Sequence, residues 1–211
     1  MKLYTYYRSS AAYRVRIALN LKGLAADMAP IHLTRDGGHQ FFPEFRKVNP
    51  QMRVPALTLD DGTVLIQSLA IIEYLDETHP SPPLLPKDPV ARAHARAVAQ
   101  IVSCDIHPIN NVVVLNYLRR EMKLADDAVN GWYRHWVIAG FDAIEALLAP
   151  GPYAFGDQVT LADLCLVPQV YNARRFKVDM ARYPKIAAVD AACRALPAFE
   201  RAAPENQPDA E

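Results

Sequence analysis

The chain has 211 residues, of which 51% are hydrophobic and 22% are charged, and its basic and acidic side chains balance at 23 each. This length suits one large domain or two small ones, each able to bury a core. The formal net charge of +0 argues against a nucleic-acid binder, because no basic excess exists to displace counterions from phosphates, and the expected partners are small molecules or a second copy of the chain.

The first 80 residues are predicted to form a small mixed α/β domain. The predicted elements are, in chain order, a strand over 2–7, a helix over 11–22, a strand over 27–33, a hairpin with strands over 56–59 and 64–66, and a helix over 68–79 with Ser68 as its cap. Gly23 is placed to end the first helix, and the stretch DDGT between the hairpin strands is typical of a turn. A βαβ unit followed by a hairpin and a helix indicates one domain over residues 1–80.

The rest of the chain is predicted to be helical. Residues 81–88 are rich in proline and indicate a linker, so that residues 89–211 form an all-α domain. Apolar periodicity predicts one long helical region over 91–122, interrupted at Pro108, and a second over 126–148.

Two further features lie in the helical part. The stretch VTLADLCLVP predicts a capping box, in which Thr160 caps a helix and Asp163 reaches back to the N–H of the cap. The polar tail over 204–211 is expected to be mobile.

Cysteine use and hydropathy indicate the compartment. The chain carries three cysteines, an odd number at wide spacing, which fits neither a disulfide framework nor a zinc motif; they are Cys104, Cys165 and Cys193. No apolar run approaches the roughly 18 residues that cross a bilayer, and no targeting signal precedes the first strand. A cytoplasmic protein without a metal site is therefore expected.

The junction between the first strand and the first helix reads YYRSSAAYRVRIAL. Many thioredoxin-like proteins carry a redox Cys-x-x-Cys pair at such a junction, whereas this chain has Ser9, Ser10, Ala11 and Ala12. A serine at the start of a helix is more often a cap than a catalytic group. The composition of this turn alone does not assign its chemistry.

Several motifs along nearly the whole chain together resemble one family. They are YYRSSAAYRVRIALNLKG, DGGHQF, NPQMRVPAL, IQSLAIIEYL, LLPKDP, TLADLCLVPQV and ARRFKVD. In these stretches the chain resembles the zeta-class glutathione transferases, the maleylacetoacetate isomerase family. The resemblance implies a thioredoxin-like glutathione-binding domain followed by an all-α domain, usually in a homodimer.

The resemblance also implies the residues that hold glutathione. Val54 and Pro55 resemble the cis-proline turn, whose exposed main chain would pair with the cysteinyl backbone of glutathione. Gln67 and Ser68, at the start of a helix, would take the γ-glutamyl carboxylate, since a helix N-terminus favours anions. Gln40 belongs to the same set of cofactor-binding residues.

Two more cofactor residues are expected in the helical domain. His107 and Asn111 flank Pro108, which should kink the long helix. By the resemblance, they lie near the glycine end of glutathione or near the substrate. Although Cys104 and His107 have a ligand-like spacing, two ligands are too few for a metal site.

The serines at the junction acquire a catalytic role through the resemblance. Without a cysteine at positions 9–12, any thiol chemistry needs a thiol from outside, and glutathione supplies one. Ser9 or Ser10, with the N–H groups of the first helical turn, would donate hydrogen bonds to the sulfur and lower its pKa. Many zeta-class members have cysteine where this chain has Ala11, which puts in doubt only a mechanism that uses the protein's own thiol.

The expected reaction is the glutathione-dependent cis–trans isomerisation of a maleyl group: a thiolate adds to the double bond, the resulting single bond rotates, and elimination returns glutathione. The substrate carries two carboxylates, for which the family-matched partners are Arg8 and Arg175, one from each domain. For either arginine alone, a surface ion pair is the more common role.

The sequence leaves three functions open. The first is maleylacetoacetate isomerase, which acts in the catabolism of tyrosine and phenylalanine. The second is a neighbouring activity at the same site, either maleylpyruvate isomerase or a transferase or dehalogenase that acts on small α-halo acids. The third is a non-catalytic glutathione-binding protein, which has no physical need for the intact set Ser9, Val54, Pro55, Gln67, Ser68 and Arg175.

Overall fold

The structure is a computed structural model that describes residues 1–211. The four strands are β1 Lys2–Thr5, β2 Asp27–Pro30, β3 Ala56–Thr58 and β4 Val64–Ile66. The nine α-helices are α1 Ser10–Leu21, α2 Pro43–Val48, α3 Ser68–Thr78, α4 Pro89–Gln100, α5 Val112–Arg120, α6 Asp126–Leu147, α7 Leu161–Arg175, α8 Pro184–Arg194 and α9 Pro197–Ala202. None of the helices combines the length and the apolar character needed to cross a bilayer.

The chain divides into two compact units. Unit 1 contains residues Met1–Pro83 and Leu196–Glu211, and unit 2 contains Leu84–Ala195. Unit 1 is a four-stranded mixed sheet with helices, and unit 2 is helical, which confirms the predicted fold class of a thioredoxin-like domain with an all-α domain.

The sheet of unit 1 has the strand order β2-β1-β3-β4. β1 and β2 are parallel, which requires the crossover helix α1 between them, while β3 pairs antiparallel with both β1 and β4. At the centre of the sheet Leu3 lies opposite Leu57, and both side chains are fully buried. The predicted βαβ unit and hairpin are thus confirmed.

Helix α1 forms much of the core of unit 1, with ten of its twelve residues buried. Ser9 caps its N-terminus, so the helix starts one residue before the predicted position 11, whereas Gly23, with φ +65°, follows its last turn as predicted. Arg14 and Arg16 are each only 1% exposed, although they stand among apolar neighbours on this helix. Two buried guanidinium groups need acceptors, and these acceptors come from other parts of the unit.

The C-terminal segment lies in unit 1, whereas the sequence assigned all of 89–211 to the helical domain and expected the tail to be mobile. Helix α9 packs on α1, where the Nε of Arg16 donates to the carbonyl of Ala202 at 3.0 Å and the side-chain amide of Asn20 donates to the carbonyl of Ala198 at 2.9 Å. Gln207 is buried as well. This packing combines the hydrogen bonds with the fully buried Phe199 of α9, and the polar composition of the residues after α9 conceals their place in unit 1.

The long helical region of unit 2 is interrupted twice, first by a π-helical stretch and then by a turn. Helix α4 continues as a π-helical stretch, Ile101–Ile106, before the turn that leads to α5. Gly140 on α6 permits this wide stretch, because a Cβ at this position would lie 2.3 Å from Cδ1 of Ile106. The prediction of a break near Pro108 is confirmed, and the π-helical stretch before it was not predicted.

The capping box at the start of α7 is present. The carboxylate of Asp163 accepts hydrogen bonds from the N–H of Thr160 at 2.7 Å, from its hydroxyl at 3.0 Å and from the N–H of Ala154 at 2.8 Å. Burial raises the pKa of Asp163, against the opposing effect of these donors. This carboxylate therefore joins the start of α7 to the loop before it.

Replacing Asp163 with alanine is expected to lower the free energy of unfolding by about 2 kcal/mol, because the buried N–H groups of Thr160 and Ala154 lose their acceptor. Denaturant unfolding followed by circular dichroism measures the change. Asp157→Ala is the matched control, since Asp157 is exposed on the same loop. Equal stability of the two variants would contradict this role of Asp163.

Candidate active site

The turn between β1 and α1 presents one of the two serines. Ser9 is the N-cap of α1, and its Oγ accepts a hydrogen bond from the N–H of Ala12 at 3.2 Å. The hydroxyl hydrogen of Ser9 remains available for donation, and the residue is partly exposed. Ser10 is the first residue of the helix and only 4% exposed. Of the pair, Ser9 is the residue whose hydroxyl can reach a ligand at the helix N-terminus.

Arg8 precedes this serine and is oriented by two tyrosines. Its guanidinium lies over the rings of Tyr6 and Tyr7, at 5.7 and 5.1 Å from their centroids, and donates to the hydroxyl of Tyr6 at 2.9 Å. Cation–π contacts of this kind hold a charged side chain in place. The guanidinium of Arg8 is therefore fixed on the same turn that presents Ser9.

The peptide bond between Val54 and Pro55 is cis, as the sequence predicted. Strand β3 begins only at Ala56, so the N–H and C=O of Val54 lie outside the ladder that joins β3 to its neighbours. A free main-chain edge of this kind suits an extended peptide. A second cis bond, between Ser81 and Pro82, was not predicted.

The start of α3 corrects one prediction. Ser68 is the first helical residue rather than the cap, and Gln67 holds the capping position with φ 70° and ψ 120°. A left-handed conformation is uncommon for a residue with a side chain and often marks a functional site. The side-chain amide of Gln67 donates to Oε1 of Gln51 at 2.8 Å. The prediction for Ser68 was wrong by one residue because a serine before an apolar run fits both the cap and the first helical position.

Arg14 adds a cation at the same helix start. Its NH1 donates to Oγ of Ser68 at 3.2 Å, and the arginine is 1% exposed. The helix N-terminus and a guanidinium together form a place suited to a carboxylate. No role was predicted for Arg14; the signal that could have indicated one is a charged residue on a largely apolar helix.

Gln40 lies in the loop before α2 and is only 2% exposed. Its Nε2 donates to the carbonyl of Leu33 at 3.2 Å, and its side chain packs against Gly38, whose φ is 107°. A Cβ at position 38 would lie 2.5 Å from this amide. Gln40 is therefore held in its loop, and its contact with a cofactor stays a prediction.

Of the two cofactor residues predicted beside Pro108, only one has a role that the structure shows. Asn111 caps α5, since its Oδ1 accepts from the N–H groups of Val113 and Val114 at 2.9 and 3.2 Å, and its Nδ2 donates to the carbonyl of Pro108 at 2.6 Å. His107 lies in the turn before it and is partly exposed. The structure gives Asn111 a capping role, and cofactor binding by either residue stays a prediction.

Arg174 and Arg175, at the end of α7, have different partners. Arg174 forms an ion pair with the buried Asp190 at 2.6 Å. Arg175 is exposed, donates only to Oδ1 of Asn172 at 3.3 Å, lies over the ring of Phe176 at 5.8 Å and pairs with no carboxylate. The surface ion pair that is common for a lone arginine is thus absent at Arg175.

A stacked pair of aromatic rings lies beside Arg175. The rings of Tyr133 and Phe176 stack at 3.5 Å with an interplanar angle of 5°. Burial raises the pKa of Tyr133 to about 12, although the charge of Arg175 acts in the opposite direction. The tyrosine is therefore neutral near pH 7 and leaves the positive charge of Arg175 available to an anion.

The structure does not favour a reaction that uses the protein's own thiols or a bound metal ion. Cys104 is exposed, Cys165 and Cys193 are buried, and none of the three forms a disulfide. Burial raises the pKa of the Cys193 thiol, and the carboxylates of Asp163 and Asp190 add to this effect. No group of three or more His, Cys, Asp or Glu side chains is arranged to hold a metal ion.

Comparison with known proteins gives consistent similarities over the whole chain. The family model of the glutathione S-transferase N-terminal domain matches residues 3–83, and that of the glutathione S-transferase C-terminal domain matches residues 126–189. A probable maleylacetoacetate isomerase of Vibrio cholerae is 52% identical over 210 residues, which cover 99% of this chain and 97% of that protein.

Two solved structures are similar over their full length. The holo structure of a maleyl pyruvate isomerase, described as a bacterial zeta-class glutathione S-transferase, has a TM-score of 0.96 and 52% identity, and covers 100% of both chains. A maleylacetoacetate isomerase of Methylobacterium extorquens AM1, solved with bound malonate and GSH, has a TM-score of 0.95 and 42% identity, also with 100% coverage of both. The N-terminal match contains the serine turn and the cis-proline turn.

Proposed function

Because the chain belongs to the glutathione transferase family, and within it to the zeta class, we propose that it is a maleylacetoacetate isomerase that uses glutathione as its cofactor. It converts maleylacetoacetate to fumarylacetoacetate in the catabolism of tyrosine and phenylalanine. The observation that carries this proposal is the turn at Ser9: a hydroxyl at a helix N-terminus, in a thioredoxin-like unit without a cysteine at this position.

The residues of unit 1 fit a γ-glutamyl tripeptide. Three features each match one of its parts: the hydroxyl of Ser9 for the thiol, the unpaired main chain of Val54 for the peptide backbone, and the Arg14–Ser68 pair at the start of α3 for the γ-glutamyl carboxylate. Gln67 adds a second polar group beside that carboxylate site. The predicted cofactor residues Gln40, His107 and Asn111 belong to this proposal with less direct support.

When bound, glutathione would supply a sulfur nucleophile, whose addition would make the cis double bond a single bond that can rotate before elimination restores the double bond and releases the thiolate. The protein's part is to keep this sulfur deprotonated near pH 7. Ser9 donates a hydrogen bond to it, and the dipole of α1 favours a negative charge at the same place. Because Ser10 is buried, we assign the donor role to Ser9.

The substrate is a dianion, and arginines are the groups that bind it. Arg8 is held over its two tyrosines, and Arg175 is exposed without a carboxylate partner. A planar guanidinium binds a carboxylate through two parallel hydrogen bonds. The relative that holds both GSH and malonate, a small dicarboxylate, supports this assignment.

Maleylpyruvate is the second candidate substrate. The maleyl pyruvate isomerase structure has the same 52% identity to this chain as the Vibrio maleylacetoacetate isomerase, so overall similarity does not separate the two acids. Both have a maleyl group and two carboxylates, and they differ in the length of the carbonyl arm.

The test of function is turnover of each maleyl acid with and without glutathione. We expect isomerisation that requires glutathione and does not consume it. S-methylglutathione is the matched control, because it keeps both carboxylates and the peptide backbone but has no free thiol, and it should support no turnover. Equal rates without glutathione, or with the methylated analogue, would rule out the proposed chemistry.

We also propose that the enzyme is a cytoplasmic homodimer. Three cysteines that form no disulfide fit a reducing compartment. Phe41 and Phe42, next to each other before α2, are 46% and 41% exposed, which suits burial against a second copy. Light scattering should give the mass of a dimer, and the double variant F41S/F42S should shift it toward the monomer; a monomeric parent protein at micromolar concentration contradicts the proposal.

A further inference from the structure

A buried arginine binds the turn between β1 and α1, the turn that presents Ser9. The guanidinium of Arg16 donates to Oγ1 of Thr5 at 3.0 Å, to the carbonyl of Tyr6 at 3.3 Å, to the carbonyl of Tyr7 at 3.0 Å and to the carbonyl of Ala202 at 3.0 Å. Burial lowers the pKa of Arg16 to about 10, so it stays charged near pH 7. One cation thus joins the end of β1, the following turn and helix α9.

The C-terminal segment makes a second bond to this turn. The N–H of Tyr7 donates to Oδ2 of Asp209 at 3.0 Å, and Tyr7 is only 5% exposed. Tyr7 lies beyond the last residue of β1, so its N–H has no partner in the sheet. A buried N–H without an acceptor costs free energy, which makes the Asp209 carboxylate the group that permits this backbone conformation.

The peptide groups on either side of Tyr7 direct the chain into the site. Tyr7 immediately precedes Arg8, and the N–H of Ser9 donates to the carbonyl of Tyr6 at 2.9 Å. With its N–H bound by Asp209 and its C=O bound by Arg16, Tyr7 has one orientation. A rotation at Tyr7 would therefore move the hydroxyl of Ser9 and the guanidinium of Arg8 together.

We propose that Asp209 is a positioning residue of the active site, which holds Ser9 and Arg8 in place through the N–H of Tyr7. The inference rests on the proposed function, since it concerns the thiol that Ser9 is assigned to activate. The charge of Asp209 also favours the charged form of Arg16, so that the two ties to the turn support each other. Residues 203–211 thereby belong to the machinery of the reaction, although they lie at the far end of the sequence.

Asp209→Ala is expected to lower kcat/KM on the order of tenfold and to raise the pKa of the bound glutathione thiol, while Asp209→Asn, which keeps a neutral acceptor for the Tyr7 N–H, should lose only roughly threefold. Glu205→Ala is the matched control, because it removes an exposed carboxylate from the same segment. It should match the parent protein in both measurements.

A direct readout needs no turnover. Hydrogen exchange of the amide of Tyr7, resolved by NMR, should be faster in Asp209→Ala than in Glu205→Ala, and intermediate in Asp209→Asn. Unchanged exchange at Tyr7 overturns the proposal. Faster exchange with an unchanged thiol pKa and unchanged kcat/KM also overturns it, because Asp209 would then be only a structural tie.

The two proposals fail in different ways. If the parent protein does not isomerise maleyl acids but Asp209→Ala still raises the thiol pKa of bound glutathione, the proposed substrate is wrong and the positioning role stands. If the parent protein isomerises maleyl acids and Asp209→Ala leaves its rate and thiol pKa unchanged, the function stands and the positioning role is wrong. If glutathione does not bind, both are wrong.

Discussion

Replacing Ser9 with alanine is expected to raise the pKa of the glutathione thiol on the protein by about one to two pH units and to lower turnover roughly 10- to 100-fold. A hydrogen bond to a charged acceptor contributes roughly 1.5 to 3 kcal/mol, which corresponds to this range. The absorbance of the thiolate, titrated against pH in the presence of saturating glutathione, measures the first effect directly. Turnover of the maleyl acid at a fixed pH measures the second.

Two further variants separate catalysis from capping. Ser9→Ala also removes a helix cap, which costs about 1 kcal/mol of stability. Ser9→Asp keeps a good cap but places a carboxylate, which cannot donate when ionised, beside the sulfur; it should fold well and raise the thiol pKa further than alanine does. Ser10→Ala should have a small effect, since Ser10 is buried. An unchanged titration curve for Ser9→Ala would move the role to Ser10 or to the N–H groups of the first turn of α1.

Replacing Arg175 with alanine is expected to raise KM for the maleyl substrate by on the order of tenfold or more and to leave the affinity for glutathione nearly unchanged. A dianion that loses water on binding needs fixed positive partners, and a tenfold loss of affinity corresponds to about 1.4 kcal/mol of lost binding free energy. Arg175→Lys should restore only part of the loss, because an ammonium group lacks the planar fork. Steady-state kinetics and glutathione titration measure the two quantities separately.

The neighbouring arginine provides the control for this variant. Arg174→Ala breaks the ion pair with the buried Asp190, so it should reduce stability more than it changes KM. A neutral substrate such as a chloro-nitrobenzene should be indifferent to Arg175→Ala. If Arg175→Ala instead weakens glutathione and dianion binding alike, or unfolds the protein, then Arg175 is a structural residue and the carboxylate-binding role is wrong.

Features that depend on neighbouring residues were predicted from the sequence. The turn between β3 and β4 has its glycine at Gly62, the capping box of α7 has Thr160 and Asp163 three positions apart, and Gly23 follows α1. Each of these signals is a local preference of the backbone or of a side chain that bonds to it, which a short stretch of sequence contains in full.

Features that depend on distant partners were missed. Arg16 and Ala202 are 186 positions apart, and Tyr7 and Asp209 are 202 positions apart. A hydrogen bond between such residues leaves no periodic pattern, because any carbonyl or carboxylate could be the acceptor. The same reason hid the role of Arg14, whose partner Ser68 is 54 positions away. The positive φ of Gln67 was missed because no glycine marked the turn.

At position 11 the chain departs from the pattern of many zeta-class members. Ala11 stands where many zeta-class members have cysteine, and it is 9% exposed in the first turn of α1. A small apolar side chain fills this position without disturbing the cap that Ser9 provides. Because the assigned sulfur belongs to glutathione, the substitution leaves the proposed chemistry intact.

The division of the chain into units also sets an order for folding during synthesis. Unit 2 consists of the continuous stretch Leu84–Ala195, so all of it has been made before α9 leaves the ribosome. Unit 1 begins first but needs α9 and the residues after it to accept the buried donors of Arg16 and Asn20. The glutathione-binding unit is therefore the last to reach its final structure, although it is the first to be translated.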